Sequence, residues 1–114
     1  LIFDEIDTGI SGEAAKQVGY IMKDLATSRQ IICITHQPQI AARAHAHYFI
    51  YKTTVDTKIQ TCIKTLNKKE RIETIARMLS GEKLSTTSLQ VSEEMIEESA
   101  SSNSPKGKEI KQYN

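Results

Sequence analysis

Leu1 to Phe3 form an apolar run that leads directly into two adjacent carboxylates, Asp4 and Glu5. Such a run is expected to be a strand covered on both faces, with its C-terminal end presenting polar groups to a site. Two neighbouring acids at that position cost free energy unless something pairs them, and a bound metal is one such partner. Apolar runs followed by acidic turn residues also arise by chance in many proteins, so the pair alone discriminates weakly.

The residues that follow set the local architecture. Thr8 to Gly12 supplies a glycine-rich turn, and from Glu13 the apolar residues Ala14, Ala15, Val18, Ile21, Met22 and Leu25 recur at three- and four-residue steps. That spacing predicts an amphipathic helix entered through Ser11 or Gly12 and ending near Ala26. Gln30 to Thr35 (QIICIT) is a second short, β-branched run. Strand, helix, strand in this order predicts a right-handed βαβ unit with parallel strands. Neighbouring parallel strands end on the same edge of the sheet, so His36 is expected beside Asp4 and Glu5.

Pro38 interrupts the chain, Gln39 to Ala44 reads as a short helical turn, and His47 to Lys52 resumes a strand. Lys58 to Leu66 alternates, which predicts an antiparallel hairpin across Val55, Asp56 and Thr57. Asn67 with Glu70 has the form of a capping box before the stripe Ile72, Ile75, Ala76 and Leu79, and Gly81 is the stop. A further helix is expected over Ser85 to Glu98, on a looser stripe of Leu89, Val91, Met95 and Ile96. Residues 99–114 are polar and broken by Pro105 and Gly107, so the expectation is one α/β domain over 1–98 followed by a disordered tail.

The net charge of +1 gives no electrostatic footprint for nucleic acid. A local basic excess lies in the tail, where Lys106, Lys108 and Lys111 are read as a solvated terminus. Cys33 and Cys62 sit in apolar, strand-like runs without metal or disulfide spacing, which predicts buried thiols in a reducing compartment, by default the cytoplasm. No apolar stretch approaches the ~20 residues of a membrane span. The chain starts at Leu1, inside a strand pattern and without an initiator methionine, so a preceding segment is expected.

Two adjacent carboxylates of this kind suit phosphoryl transfer to water. One holds Mg²⁺, directly or through its water shell, and the next orients or deprotonates the attacking water. Asp4 is assigned the metal and Glu5 the base. The His36 imidazole would donate to the γ-phosphate as charge builds there.

Together these segments carry a family resemblance. LIFDEID (Leu1 to Asp7) resembles the Walker B strand of ABC-type ATPases, TGISG (Thr8 to Gly12) their D-loop, and Thr35 with His36 their switch histidine. The match is closest to the RecN family, bacterial DNA-repair ATPases related to the structural-maintenance-of-chromosomes proteins. FDEIDTGISG, ITHQPQIAARAHAHYFIYK and LNKKERIETIARMLSGE all look like segments of that family, in order, over roughly residues 1–96.

The resemblance implies the C-terminal part of a P-loop ATPase head that uses ATP and Mg²⁺. In it Asp4 coordinates the metal, Glu5 is the general base and His36 senses the γ-phosphate. It implies a homodimer of heads with ATP sandwiched between them, in which Gly9, Ile10, Ser11 and Gly12 touch the opposite head. It further implies action on DNA ends in double-strand-break repair by a bacterial, cytoplasmic, nucleoid-associated protein. The turn departs from the usual ABC form, which carries an acid near Ser11. Gln37 and Gln39 flank the histidine and could orient water, although loop glutamines are more often surface residues.

No GxxxxGK[ST] phosphate loop and no serine-glycine-glycine signature occurs in the sequence. In the family these precede Leu1, so the expected partner is the N-terminal part of the same protein, and the chain alone is expected neither to bind ATP tightly nor to hydrolyse it. The alternative is a head-association module or a degenerate, non-hydrolysing remnant.

Other features are not expected to form sites. His45 and His47, two apart at a strand start, could with His36 be imagined as zinc ligands, but no Cys or supporting carboxylate accompanies them. Tyr48, Phe49 and Tyr51 are expected to be core and hairpin packing rather than a base-stacking platform. Lys68, Lys69 and Arg71 are read as a solvated helix face.

Overall fold

The computed structural model describes residues 1–101, and the expected polar tail lies outside them from residue 102 onward. In chain order the elements are β1 (Ile2–Asp4), α1 (Gly12–Leu25), β2 (Ile32–Ile34), α2 (Pro38–Ala41), β3 (Tyr48–Val55), β4 (Lys58–Thr65), α3 (Lys68–Ser80) and α4 (Thr86–Ser101). Each helix starts where local chemistry favours it. The Ser11 hydroxyl accepts from the Ala14 N–H at 3.2 Å and so satisfies one of the orphan donors that open α1. Asn67 and Glu70 form the reciprocal capping box of α3, and Gly81, at φ 81°, closes that helix.

β1 and β2 are parallel, with Phe3 opposite Cys33 and Asp4 opposite Ile34, and α1 connects them. Phe3 and Cys33 share one face and pack with Ile10 and Val18 against Ala15, Met22 and Ile40. The opposite face carries Ile2, Ile32 and Ile34, all exposed. The expectation of strands covered on both faces is thus overturned, because the sheet has two strands and α1 covers only one side of it.

The short α2 links two cores. Ile40 enters the α1 cluster, while Ala41 and Ala42 enter a second cluster with Ile75, Met95 and Ile96, flanked by Ile72 and Met78. Small residues let the helices approach closely: the buried Ser92 of α4 donates to the Ile72 carbonyl of α3 at 2.7 Å. β3 and β4 form the hairpin in full register from Tyr48↔Thr65 to Val55↔Lys58. Its two-residue turn, Asp56 and Thr57, has positive φ at both positions, as a type I′ turn requires.

Other sequence expectations need correction. The first hairpin strand starts at Tyr48, so His45 and His47 precede it rather than share a strand face. Tyr48, Phe49 and Tyr51 are exposed rather than core, because nothing packs on the outer hairpin face and the inner one lines an open groove; Phe49 and Tyr51 stack with ring centroids 5.9 Å apart. Arg71 leaves the solvated face assigned to it and donates to the carbonyls of Ala41, Ala42 and Ala44, which closes the C-terminal end of α2. α4 runs through Ser101, and Ser99 is buried and accepts from the Lys23 ammonium at 3.1 Å. Among the described residues no helix is long and apolar enough to cross a membrane.

Candidate functional site

Strand pairing places the expected residues at one edge. Asp4 ends β1 opposite Ile34, the last residue of β2, and the Glu5 N–H continues the ladder to the Ile34 carbonyl at 2.9 Å. His36 follows two residues beyond Ile34, on that same edge. Asp4, Glu5 and His36 are all exposed, and none takes part in an ion pair among the described residues.

Glu5 leaves the strand in a left-handed conformation, φ 50°, and is thus one of three non-glycine residues with positive φ among the described residues. Such a backbone costs of order 1–3 kcal/mol and persists only where its surroundings enforce it. Here the enforcing contacts are the ladder bond and the Glu5 carbonyl, which accepts both the Thr8 N–H at 3.3 Å and the Thr8 hydroxyl at 3.0 Å. The chain therefore turns off the strand path at the residue expected to act as base.

The next turn runs from Asp7 to Ile10, whose N–H reaches the Asp7 carbonyl at 3.3 Å. Gly9 sits at its third position with φ 80°, which glycine adopts without strain. Gly9, Ser11 and Gly12 are exposed, but Ile10 is half-buried in the α1 core and the Ser11 hydroxyl is committed to the helix cap.

Sequence reasoning missed Asp7. It is fully buried, at 0% exposure, and its Oδ2 accepts from the Thr35 hydroxyl at 2.5 Å. The same Thr35 oxygen accepts the Gln37 N–H at 3.0 Å, and among the described residues Oδ1 of Asp7 has no hydrogen-bond partner. Cys33 lies close by: burial, and secondarily the Asp7 charge, push its thiol above the ordinary range. The one sequence signal was a third acid in DEID, three residues after Asp4, and nothing in it distinguishes a buried acid from an exposed one. Of the two glutamines beside His36, Gln37 stands at the N-cap position of α2 without a side-chain cap hydrogen bond, whereas the Gln39 side chain accepts from Arg43 at 3.0 Å.

Metal chemistry can be judged from the donors. Among the described residues no group of three His, Cys, Asp or Glu side chains could hold a metal by itself, and this includes His36, His45 and His47. A single exposed carboxylate at a strand end does fit Mg²⁺, which keeps its waters and is commonly bound by one or two carboxylates together with substrate phosphates.

No family model matches the chain. Individual relatives do. The chain is 46% identical over 96 residues to DNA repair protein RecN of Rickettsia conorii, a match covering 84% of this chain and 18% of that protein. It is 39% identical over 97 residues to DNA repair protein RecN of Haemophilus influenzae, covering 85% and 17%. For DNA repair protein RecN of Vibrio cholerae the figures are 38% over 96 residues, covering 84% and 17%. These matches, together with the motif-bearing segments above, establish that the chain belongs to the RecN family, and it spans 17 to 18% of the length of these three relatives.

Proposed function

We propose that this segment is the hydrolysis side of an ATPase head in a DNA-repair protein. The observation that carries the reading is the common edge of β1 and β2, where the Glu5–Ile34 bond sets Asp4, Glu5 and the His36 loop side by side. The relatives' printed name, DNA repair protein RecN, supports the process.

In this reading Asp4 would hold Mg²⁺ at the phosphates of ATP, and the bound ion would supply positive charge against that developing on the transferred phosphoryl group. Glu5, held off the strand path by its left-handed backbone, takes a proton from the attacking water. The exposed His36 ring donates an N–H toward the γ-phosphate oxygens, and Gly9, Ser11 and Gly12 offer backbone groups to a second head across the sandwiched nucleotide. Ile10 serves the core instead. DNA contact and double-strand-break repair belong to the whole protein, to which this segment contributes ATP turnover.

The test supplies what the sequence lacks. The chain is co-produced with, or joined to, the preceding part of a RecN relative, and Mg²⁺-dependent phosphate release is followed. Turnover is expected in the assembled protein and not in the 114-residue chain. Glu5→Gln should lower kcat by about 10²–10⁴-fold while ATP binding persists. Assembly and dimerisation without hydrolysis would instead assign the segment to head association alone, and full activity of the chain by itself would refute the reading.

A further inference from the structure

We propose that Asp7 is a positioning residue for His36. A carboxyl group buried with no cation against it among the described residues is costly, so its retention needs a reason beyond filling space. The turn does not supply that reason, because it uses the Asp7 carbonyl, which any residue would provide. The side chain instead ends a one-way relay: the Gln37 N–H donates to the Thr35 hydroxyl at 3.0 Å, and that hydroxyl donates to Asp7 Oδ2.

Asp7 Oδ2 is the acceptor, so it turns the Thr35 proton toward itself and leaves a lone pair of the hydroxyl oxygen for the amide. The relay thus pins the residues on either side of His36, Thr35 and Gln37, to a point two residues after Glu5. His36 is held at a set position relative to the base although its own ring is exposed. The inference rests on the ATPase reading for its catalytic consequence, but its geometric part stands on the chain alone.

NMR of the 114-residue chain tests the geometric part. Asp7→Ala and Thr35→Val should each raise the Gln37 amide exchange rate at least tenfold and shift the His36 ring signals, while α3 and α4 amides stay put. Thr35→Ser, which keeps the hydroxyl, should preserve the parent pattern. If a single variant does not fold because it leaves one polar partner buried, the combined Asp7→Ala/Thr35→Val variant carries the same readout.

In the assembled protein each single variant should lower kcat at least tenfold with the KM for ATP within threefold. The combined variant should fall no further than the worse single. A folded Asp7→Ala, Thr35→Val or combined variant with parental Gln37 exchange and His36 signals, or with parental kcat, overturns the proposal. If the assembled parent shows no hydrolysis, the ATPase reading fails, and the Gln37 and His36 signals still decide the positioning role.

Discussion

Gly19, in the middle of α1, sets two effects against each other. Replacing a mid-helix glycine by alanine ordinarily gains about 1 kcal/mol. A Cβ at this position, however, would sit 2.9 Å from Arg43 Cδ and 3.0 Å from the Gln39 carbonyl oxygen. Arg43 cannot simply swing away. Its guanidinium bonds the Gln39 carbonyl at 2.6 Å and lies 4.3 Å from the centroid of the Tyr20 ring, and the other obstacle is α2 backbone. Overpacking of this kind costs roughly 1–3 kcal/mol, so the clash outweighs the propensity gain. Gly19→Ala should lower the urea midpoint of the chain, and a raised midpoint would show that α1 and α2 separate easily. Asp4, Glu5 and Asp7 mark the same limit on reading single residues from sequence. The first two were legible because an apolar strand ends on them, whereas the burial of Asp7 depends on a hydroxyl 28 positions away.

At the level of elements, what could be read was what is locally determined. α1 and α3 begin on their caps, and the hairpin turns on the two residues between its alternating runs. Non-local features escaped: the bare sheet face, the run of α4 through Ser101, and Arg71 reaching from α3 to cap α2. His47 lies just before β3, where its carbonyl accepts the Leu66 N–H at 2.9 Å and the Arg71 charge is close. Burial, and then the nearby Arg71 charge, hold its pKa below the ordinary 6.5. The folded chain therefore disfavours the imidazolium, while the unfolded chain takes up the proton as pH drops through 6.5. The stability associated with neutral His47 is present above that value and is lost between it and the lower folded-state value. Urea midpoints should fall between pH 7.5 and pH 5.5, and His47→Gln should flatten the decline. An equal decline in that variant would place the acid sensitivity elsewhere.

At the scale of the whole chain, the unusual feature is how much apolar surface lies open. By register, Tyr48, Ile50, Ile59 and Ile63 share one face of the hairpin, at 56%, 58%, 74% and 66% exposure. Ile2, Ile32 and Ile34 form a second such face on the parallel pair. Exposed apolar side chains grouped on one face, here interrupted by Lys52 opposite Thr61, mark interaction surfaces or aggregation sites, and an unpaired hairpin edge beside them adds to the tendency. The chain at 12.8 kDa should therefore self-associate, its apparent mass by sedimentation rising with concentration. Ile59→Lys with Ile63→Thr interrupts the face at two exposed positions, where substitutions typically change stability by no more than about 0.5 kcal/mol. The variant should stay monomeric and unfold at nearly the parent's midpoint. The same pair separates two uses of the surface. If the preceding part of a RecN relative covers the hairpin face, the variant should assemble less well with it; undiminished assembly together with restored monodispersity would leave the face outside the head's interior. Parent and variant that are both monomeric at every concentration would show that the twist of an isolated hairpin already keeps this face from pairing.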